Sequence, residues 1–288
     1  MEKISSIIKE ITKLEKDLLS EQESLLRGAL SILEKKIKTK DAKTIKFQQD
    51  IVAKQDEHFS LFRLDRQEAI QKLNKVLNRL IGRDYNLSDS EHWLLFAAIA
   101  NAKTNYKKIL EIGTANGVTA AILSLLFPKA EITTIDLPRD SEKFRSTYDR
   151  AKVADEVAQK RDLFLKDFPN INFIELNSIF LDRWAKNSFD LIWVDGAHGY
   201  PVLPIDLYNS CRLIKNDGLV IIDDVFLKLR KSDETYRSIA AVETLKLFKE
   251  TGMIKDFKLI RKRLSLSYNF KDLNEKFLGI FEASDCGV

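Results

Sequence analysis

The chain has 288 residues, which exceeds the roughly 100 to 200 residues of one typical domain, so we expect one large domain with a smaller appendage. Hydrophobic residues make up 44% and charged residues 31%, which excludes general disorder and a fibrous repeat. The net charge is only +4, and Lys and Arg are interleaved with Asp and Glu, so the composition argues against a nucleic-acid-binding protein.

The cysteines and the N-terminus bear on the compartment. Cys211 and Cys286 lie far apart and lack the CxxC spacing of a zinc or redox site, so we expect a reducing compartment without a disulfide framework. The N-terminal residues carry mixed charge and contain no apolar stretch of the ~20 residues that would span a bilayer. We therefore expect a cytoplasmic protein without a membrane partner.

The first third of the chain is predicted to be helical, because residues 1–112 contain no proline and only two glycines. Apolar residues recur every seven positions, as in a coiled coil, at Ile4, Ile11, Leu18, Leu25 and Ile32. Glu21 and Gly28 interrupt the companion position, so a helical hairpin, a homodimer contact and a helix packed on its own domain all stay open. We assign residues 1–83 to this helical extension and residues 84–288 to the main domain.

Two further helices are predicted before the sheet. Residues 39–55 are rich in Lys, Asp and Gln and are expected to form a solvated connector or an exposed helix. Asp65 and Ser88 are each followed three residues later by a glutamate, which is the spacing of a capping box at a helix start. Gly82 is expected to end the first of these helices.

After Lys107 the chain alternates between short apolar runs and helical stretches, the pattern of a parallel sheet with crossover helices. The predicted strands are residues 109–112, 132–135, 171–176, 191–194 and 219–222, and the predicted crossover helices are residues 118–126, 151–165 and 202–214. C-terminal apolar runs at 257–260, 264–268 and 277–281 are expected to add an antiparallel edge. The fold is thus a doubly wound, mostly parallel α/β sheet, in which ligands bind at the carboxyl ends of the strands.

The first strand runs into the turn Glu111-Ile-Gly-Thr-Ala-Asn-Gly117. Its two glycines allow a tight turn and close approach of a ligand, and the helix that follows presents free amide donors. The G-x-x-x-G spacing differs from the dinucleotide-binding motif and lacks the Lys-Ser/Thr pair of a phosphate loop. Asp136 ends the second strand about 20 residues beyond the turn, where a carboxylate can bind ribose hydroxyls. The alternative is that Asp136 begins a turn with Pro138.

This combination resembles the class I S-adenosylmethionine-dependent methyltransferases, over roughly residues 87–260. The resemblance implies a seven-stranded Rossmann-like sheet and S-adenosylmethionine as cofactor. Gly113 and Gly117 would approach its methionine part, Glu111 would hold its amino group and Asp136 its ribose, with Asn177 near the adenine. The cofactor-binding candidates are Glu111, Gly113, Thr114, Asn116, Gly117, Asp136, Asn177 and Asp195.

Three carboxylates are predicted to meet at one rim of the sheet. Asp195 ends the fourth strand and Asp223 and Asp224 end its expected neighbour, and neighbouring strands lie ~5 Å apart. Clustered like charges need a cation or protonation, and carboxylate oxygens suit Mg²⁺, so we predict a metal site at Asp195, Asp223 and Asp224. His198 follows at a position where it could take a proton from a substrate hydroxyl. The alternatives are structural roles for the carboxylates and a surface histidine.

This second arrangement is similar to the metal-dependent O-methyltransferases, in which an Asp, an Asp-Asn or Asp-Asp pair, and a Lys or His occupy the corresponding positions. Asp224 and His198 place the chain nearer the sugar-modifying members. The resemblance implies Mg²⁺ and a small-molecule hydroxyl acceptor, for example a sugar. A metal-independent methyltransferase acting on nitrogen or RNA and a non-catalytic cofactor-binding scaffold are the alternatives. The basic residues 261–263 are expected to form a solvated face.

Overall fold

The computed structural model describes residues 46, 49–50, 52–86, 89–103, 105–146, 150–229, 238–262 and 276–282. Residues Ile51–Val288 form one compact unit, and only three residues of the unit Met1–Asp50 are described. The predicted heptad pattern and the apolar run 264–268 lie outside the described residues, and the helical extension and its homodimer contact stay predictions. Among the described helices, none is both long and apolar enough to cross a membrane.

Two helices precede the sheet, α1 (Arg66–Ile81) and α2 (Glu91–Ala102). Asp65 Oδ1 accepts the N–H groups of Gln67 and Glu68 at 2.7 and 2.9 Å, so the predicted start of α1 is confirmed. Gly82 ends α1 with a φ of 70°, a left-handed conformation in which glycine is unstrained. The other predicted cap, Ser88, lies outside the described residues.

Seven strands form one sheet in the order β3-β2-β1-β4-β5-β7-β6. The strands are β1 (Lys108–Ile112), β2 (Glu131–Asp136), β3 (Ile171–Glu175), β4 (Phe189–Val194), β5 (Ile214–Phe226), β6 (Lys258–Arg261) and β7 (Lys276–Glu282). The other helices are α3 (Val118–Leu126), α4 (Glu142–Ser146), α5 (Arg150–Leu165), α6 (Val202–Leu213) and α7 (Ala240–Glu250), with a 3₁₀ turn at Ser178–Arg183. β1 to β5 are parallel, and β7 is antiparallel to both β5 and β6. The predicted sheet is confirmed.

Successive residues of the central strands enter two different hydrophobic cores, because side chains alternate between the faces of a sheet. On one face Ile109 and Trp193 pack with residues of α1, α2 and α3. On the other face Leu110 and Val194 pack with residues of α6 and α7. Both faces of the sheet are therefore covered, which explains the unbroken apolar runs in the sequence.

A helical segment, residues 52–61, lies against the edge strand β6. Gln55 Nε2 donates to the carbonyl oxygen of Arg261 at 2.8 Å, and the N–H of Arg261 donates to His58 Nδ1 at 3.0 Å. Gln55 is only 1% exposed, so the expectation of a solvated segment is wrong at this residue. One turn of helix thus satisfies both backbone polar groups of a residue at the end of β6.

Candidate functional site

The turn between β1 and α3 requires glycine at two positions for two separate steric reasons. Gly113 has a φ of 104°, and a Cβ there would lie 2.3 Å from the backbone oxygen of Asp195, which follows β4. Gly117 has a φ of 82°, and a Cβ there would lie 2.8 Å from the side chain of Leu165. The first glycine therefore lets two neighbouring strand ends approach, and the second lets α5 pack beneath the turn.

Asp136 connects the end of β2 to this turn. Its Oδ2 accepts the N–H of Ala115 at 2.9 Å, and its Oδ1 accepts the N–H of Leu137 at 2.8 Å. Ala115 has a φ of 48°, so the bond holds the turn in a conformation that a non-glycine residue seldom adopts. A carboxylate has about four acceptor positions, so its bonds to backbone amides do not prevent hydrogen bonds from ribose hydroxyls.

Glu111 is a fully buried acid below the same turn. Its Oε2 accepts a hydrogen bond from the hydroxyl of Thr134. The same Thr134 hydroxyl lies 2.6 Å from the hydroxyl of Thr114. Burial raises the pKa of Glu111 to about 8. Oε1 is buried and has no hydrogen-bond partner among the described residues. Such an acceptor fits the ammonium group of S-adenosylmethionine, because an ammonium would both satisfy Oε1 and favour the ionised acid.

The two predicted asparagines have local roles in the structure. Asn116 Oδ1 accepts the N–H of Val118 at 3.2 Å, at the start of α3. Asn177 Oδ1 accepts the N–H of Ile179 at 3.2 Å and begins the 3₁₀ turn after β3. Both are bonds of the kind by which asparagine stabilises turns. Contact of either side chain with a cofactor stays a prediction.

Asp223 and Asp224 lie in a β-bulge of β5. Between Ile222 and Val225 the strand has two residues where β7 has only Leu278, and the register shifts there. Asp224 has a φ of 53°, a left-handed conformation that Asp tolerates better than most side chains. β-bulges often redirect side chains next to active sites. This bulge allows the consecutive carboxylates of Asp223 and Asp224 to bond the same partner.

That partner is Lys262, at the end of β6. Its Nζ donates to Asp223 Oδ1 and, at 2.9 Å, to Asp224 Oδ1, and Lys276 Nζ lies 2.5 Å from the same Asp224 oxygen. Lys262 is 6% exposed, so the expected solvated face at residues 261–263 is wrong at this position. Burial alone would lower the pKa of Lys262, but the two carboxylates outweigh it and raise that pKa.

The predicted Mg²⁺ site does not fit these side chains. Within the described parts of the chain, no group of three or more His, Cys, Asp or Glu side chains is arranged to hold a metal ion. The strand register places Asp195 beside Asp223, as expected, since Val194 pairs with Ile222. The ammonium group of Lys262, however, bonds the carboxylate oxygens that a cation would need. The metal site at Asp195, Asp223 and Asp224 therefore stays a prediction that these contacts do not support.

His198 lies beside this cluster and is 8% exposed, so the alternative of a surface histidine is wrong. Its Nε2 lies 3.8 Å from Asp195 Oδ1, beyond hydrogen-bonding distance. Burial lowers the pKa of His198, so the ring is neutral at pH 7 and can accept a proton. Burial, together with the charges of Asp223 and Asp224, raises the pKa of Asp195.

Asp206 on α6 is a buried acid that the sequence analysis missed. It is 0% exposed, and neither carboxylate oxygen has a hydrogen-bond partner at normal distance among the described residues. Oδ2 lies 3.6 Å from the position that a Cβ on Gly196 would take, so the acid supports the turn after β4 from below. Burial raises the pKa of Asp206 to about 7.

Asp206→Asn is expected to remove a pH dependence of stability. Between pH 3.8 and about 7 the folded protein binds a proton that the unfolded chain releases, so the free energy of unfolding falls as pH rises through this range, by on the order of 4 kcal/mol. The variant should therefore be more stable than the parent at pH 8, as urea unfolding at pH 5 and pH 8 would measure. Asp182→Asn, at an exposed position, should keep the parent's pH slope. An unchanged slope in Asp206→Asn would contradict this origin.

Residues 110–225 match the family model described as a methyltransferase domain. Among solved structures, the chain is similar to the O-methyltransferase TomG of Streptomyces achromogenes, involved in tomaymycin synthesis and solved in complex with SAM (20% identity, 80% of this chain and 96% of that chain, TM-score 0.45). It is also similar to a putative O-methyltransferase from Klebsiella pneumoniae (17% identity, 83% and 100%, TM-score 0.48) and to an rRNA methylase from Streptococcus thermophilus (10% identity, 68% and 97%, TM-score 0.45). At these values the likenesses do not distinguish among acceptors.

Proposed function

Since residues 110–225 match a methyltransferase-domain model, we propose that the protein is an S-adenosylmethionine-dependent methyltransferase that acts on the hydroxyl group of a small molecule, such as a sugar. The observation that carries the proposal is a buried, neutral histidine beside the predicted cofactor turn. His198 follows β4, and Glu111 and Gly113 belong to the end of its neighbour β1, so base and cofactor turn share one rim of the parallel sheet.

The cofactor would be held by residues at the ends of β1 and β2. The unsatisfied Oε1 of Glu111 would accept a hydrogen bond from its amino group, and Asp136 would accept from its ribose. Gly113 keeps side-chain atoms out of the space between the ends of β1 and β4. When bound, S-adenosylmethionine supplies a methyl group on a sulfonium sulfur, which retains the bonding electron pair when the methyl group leaves.

His198 would act on the acceptor hydroxyl. As the acceptor oxygen forms its bond to the methyl carbon, the O–H bond breaks and the ring nitrogen of His198 takes the proton. The resulting imidazolium lies 3.8 Å from Asp195, close enough for the carboxylate to stabilise the new charge once Asp195 is ionised. Apart from this proton transfer, the residues around the site contribute by positioning the oxygen in line with the methyl group.

Asp136→Ala is expected to weaken binding of S-adenosylmethionine about 100-fold, because each hydrogen bond to a carboxylate contributes about 1.5 to 3 kcal/mol. The substitution also removes the bond to the N–H of Ala115 and thus loosens the turn. Isothermal titration calorimetry with S-adenosylmethionine would measure the change in Kd. Asp140→Asn, an exposed acid four residues farther on, should bind like the parent. Equal affinities in the two variants would remove Asp136 from the cofactor site.

The proposed reaction itself requires labelled cofactor. Folded protein, methyl-labelled S-adenosylmethionine and a deproteinised small-molecule extract should yield a labelled product whose methyl group is on oxygen, as mass spectrometry would establish. Calorimetry without any heat from the donor or its demethylated product would overturn the proposal. Labelling of RNA only, falling steeply with salt, would replace it by the RNA alternative.

A further inference from the structure

We propose that the ammonium group of Lys262 is the resident cation of the acceptor site, and that it binds the acceptor through a single hydroxyl group in place of a divalent metal. This inference rests on the proposed methyl transfer to a hydroxyl and specifies how the hydroxyl is bound. It starts from Asp223 and Asp224, two of the three residues predicted to ligate a metal, because both already bond the amine of Lys262.

The first argument is geometric. Asp223 and Asp224 follow one another in the bulge of β5, and a single Nζ donates to one oxygen of each. A bridging position between two carboxylates is the place in which a divalent cation would bind. Lys262 is 6% exposed, so its charge is a fixed part of the interior and does not belong to a mobile surface chain.

The second argument is the number of donors. An ammonium group has three N–H donors, and the contacts of Lys262 to described side chains use two of them, with Asp223 and Asp224. The third donor remains for a ligand oxygen. A hydrogen bond from a buried ammonium stabilises an oxygen that gains negative charge as its proton leaves, which is the help that a metal would otherwise give.

The third argument is the closeness of Lys262 to the proposed base. Asp195 follows Val194, which pairs with Ile222 directly before Asp223, and His198 Nε2 lies 3.8 Å from Asp195 Oδ1, so the ammonium lies at the same strand ends as the residues that would surround the acceptor oxygen. The Lys262 ammonium as hydrogen-bond donor and His198 as base are together sufficient to bind and deprotonate one acceptor hydroxyl. A metal favours chelation by two neighbouring oxygens, whereas a single N–H does not, so we expect simple alcohols or phenols as acceptors without a need for a vicinal diol.

The decisive experiment measures Mn²⁺ binding and does not depend on activity. Titration of the full chain with Mn²⁺, followed by electron paramagnetic resonance, should show no bound ion in the parent. Lys262→Met should gain one Mn²⁺, because Asp223 then loses its ammonium partner and Asp224 keeps only the partly exposed Lys276, which the ion can displace. Lys215→Met is the matched control: it removes another Lys–Asp pair, 2.9 Å from Asp190, and should bind no Mn²⁺. A Mn²⁺ site in the parent, or none in Lys262→Met, would overturn the proposal.

Methyl transfer provides the second measurement. The parent should keep its full rate in excess chelator. Lys262→Met should lose about 100-fold in kcat, the usual effect of removing one such donor, with little change in the Kd of S-adenosylmethionine.

A double variant covers the case in which Lys262→Met does not fold because Asp223 is left as an unpaired buried charge. Lys262→Met with Asp223→Asn removes both charges together and should show the same loss of kcat. A rate that requires added metal, or an unchanged kcat in the variants, would refute the role of Lys262. Absence of any methylated hydroxyl would instead count against the proposed function, and the Mn²⁺ result would stand separately.

Discussion

Replacement of His198 by alanine is expected to lower kcat by about 100- to 10,000-fold, the usual contribution of a positioned general base. The affinity for S-adenosylmethionine should stay close to that of the parent, because His198 follows β4 whereas Glu111 and Asp136 lie at the ends of β1 and β2. Single-turnover kinetics with labelled cofactor would measure the rate, and calorimetry would measure the Kd. The combination of a low kcat and a normal Kd separates loss of the base from loss of the fold.

A matched histidine provides the control for this experiment. His58 accepts the N–H of Arg261 on the far side of β6, and glutamine can replace that acceptor. His58→Gln should therefore keep the parent's kcat. If His198→Ala also keeps it, the proton of the acceptor must go elsewhere and His198 has no part in the reaction.

Replacement of Gly113 by alanine is expected to abolish cofactor binding and to destabilise the fold by about 2 to 5 kcal/mol. The positive φ of 104° costs an L-residue about 1 to 2 kcal/mol, and a Cβ at 2.3 Å from the Asp195 oxygen adds an overpacking cost of about 1 to 3 kcal/mol. Relief of the clash would push apart the ends of β1 and β4, between which the cofactor turn lies. Urea unfolding and calorimetry would measure the two effects.

Gly252 allows the backbone cost to be separated from the clash. It has a φ of 77°, and a Cβ there would meet nothing within 4 Å. Gly252→Ala should therefore lose only about 1 to 2 kcal/mol and bind the cofactor normally. A Gly113→Ala variant with the same small loss and normal binding would show that the close approach to Asp195 is not needed.

The elements that sequence analysis predicted well are those with local signals. Asp65 caps α1 because a short side chain reaches amides two and three residues ahead, and that spacing is visible in the sequence. The strands were recognisable because both sheet faces are covered and their apolar runs are continuous. The rim that holds Asp136 and Asp195 followed from the rule that parallel strands end together.

The parts that could not be predicted depend on contacts between distant segments. Lys262 reaches Asp223 only because β7 inserts between β5 and β6, and the sequence did not reveal which C-terminal runs pair. Lys262 lies between Arg261 and Arg263 in the sequence, and three consecutive basic residues usually face solvent. No local sequence feature indicates that Lys262 is buried. Asp206 was missed for a similar reason: its burial depends on the packing of α6 beneath the turn at Gly196.

The contacts of Gln55 and His58 with Arg261 have a consequence for the addition of a further strand at the edge of the sheet. A terminal strand presents open hydrogen-bonding groups to which a strand of another molecule can add, and such additions lead to aggregates. In β6 the N–H and the carbonyl oxygen of Arg261 are already hydrogen-bonded to the helix at residues 52–61. A strand of another molecule could therefore not form backbone hydrogen bonds with Arg261. The helix at residues 52–61 would thus hinder the addition of a strand on the β6 side.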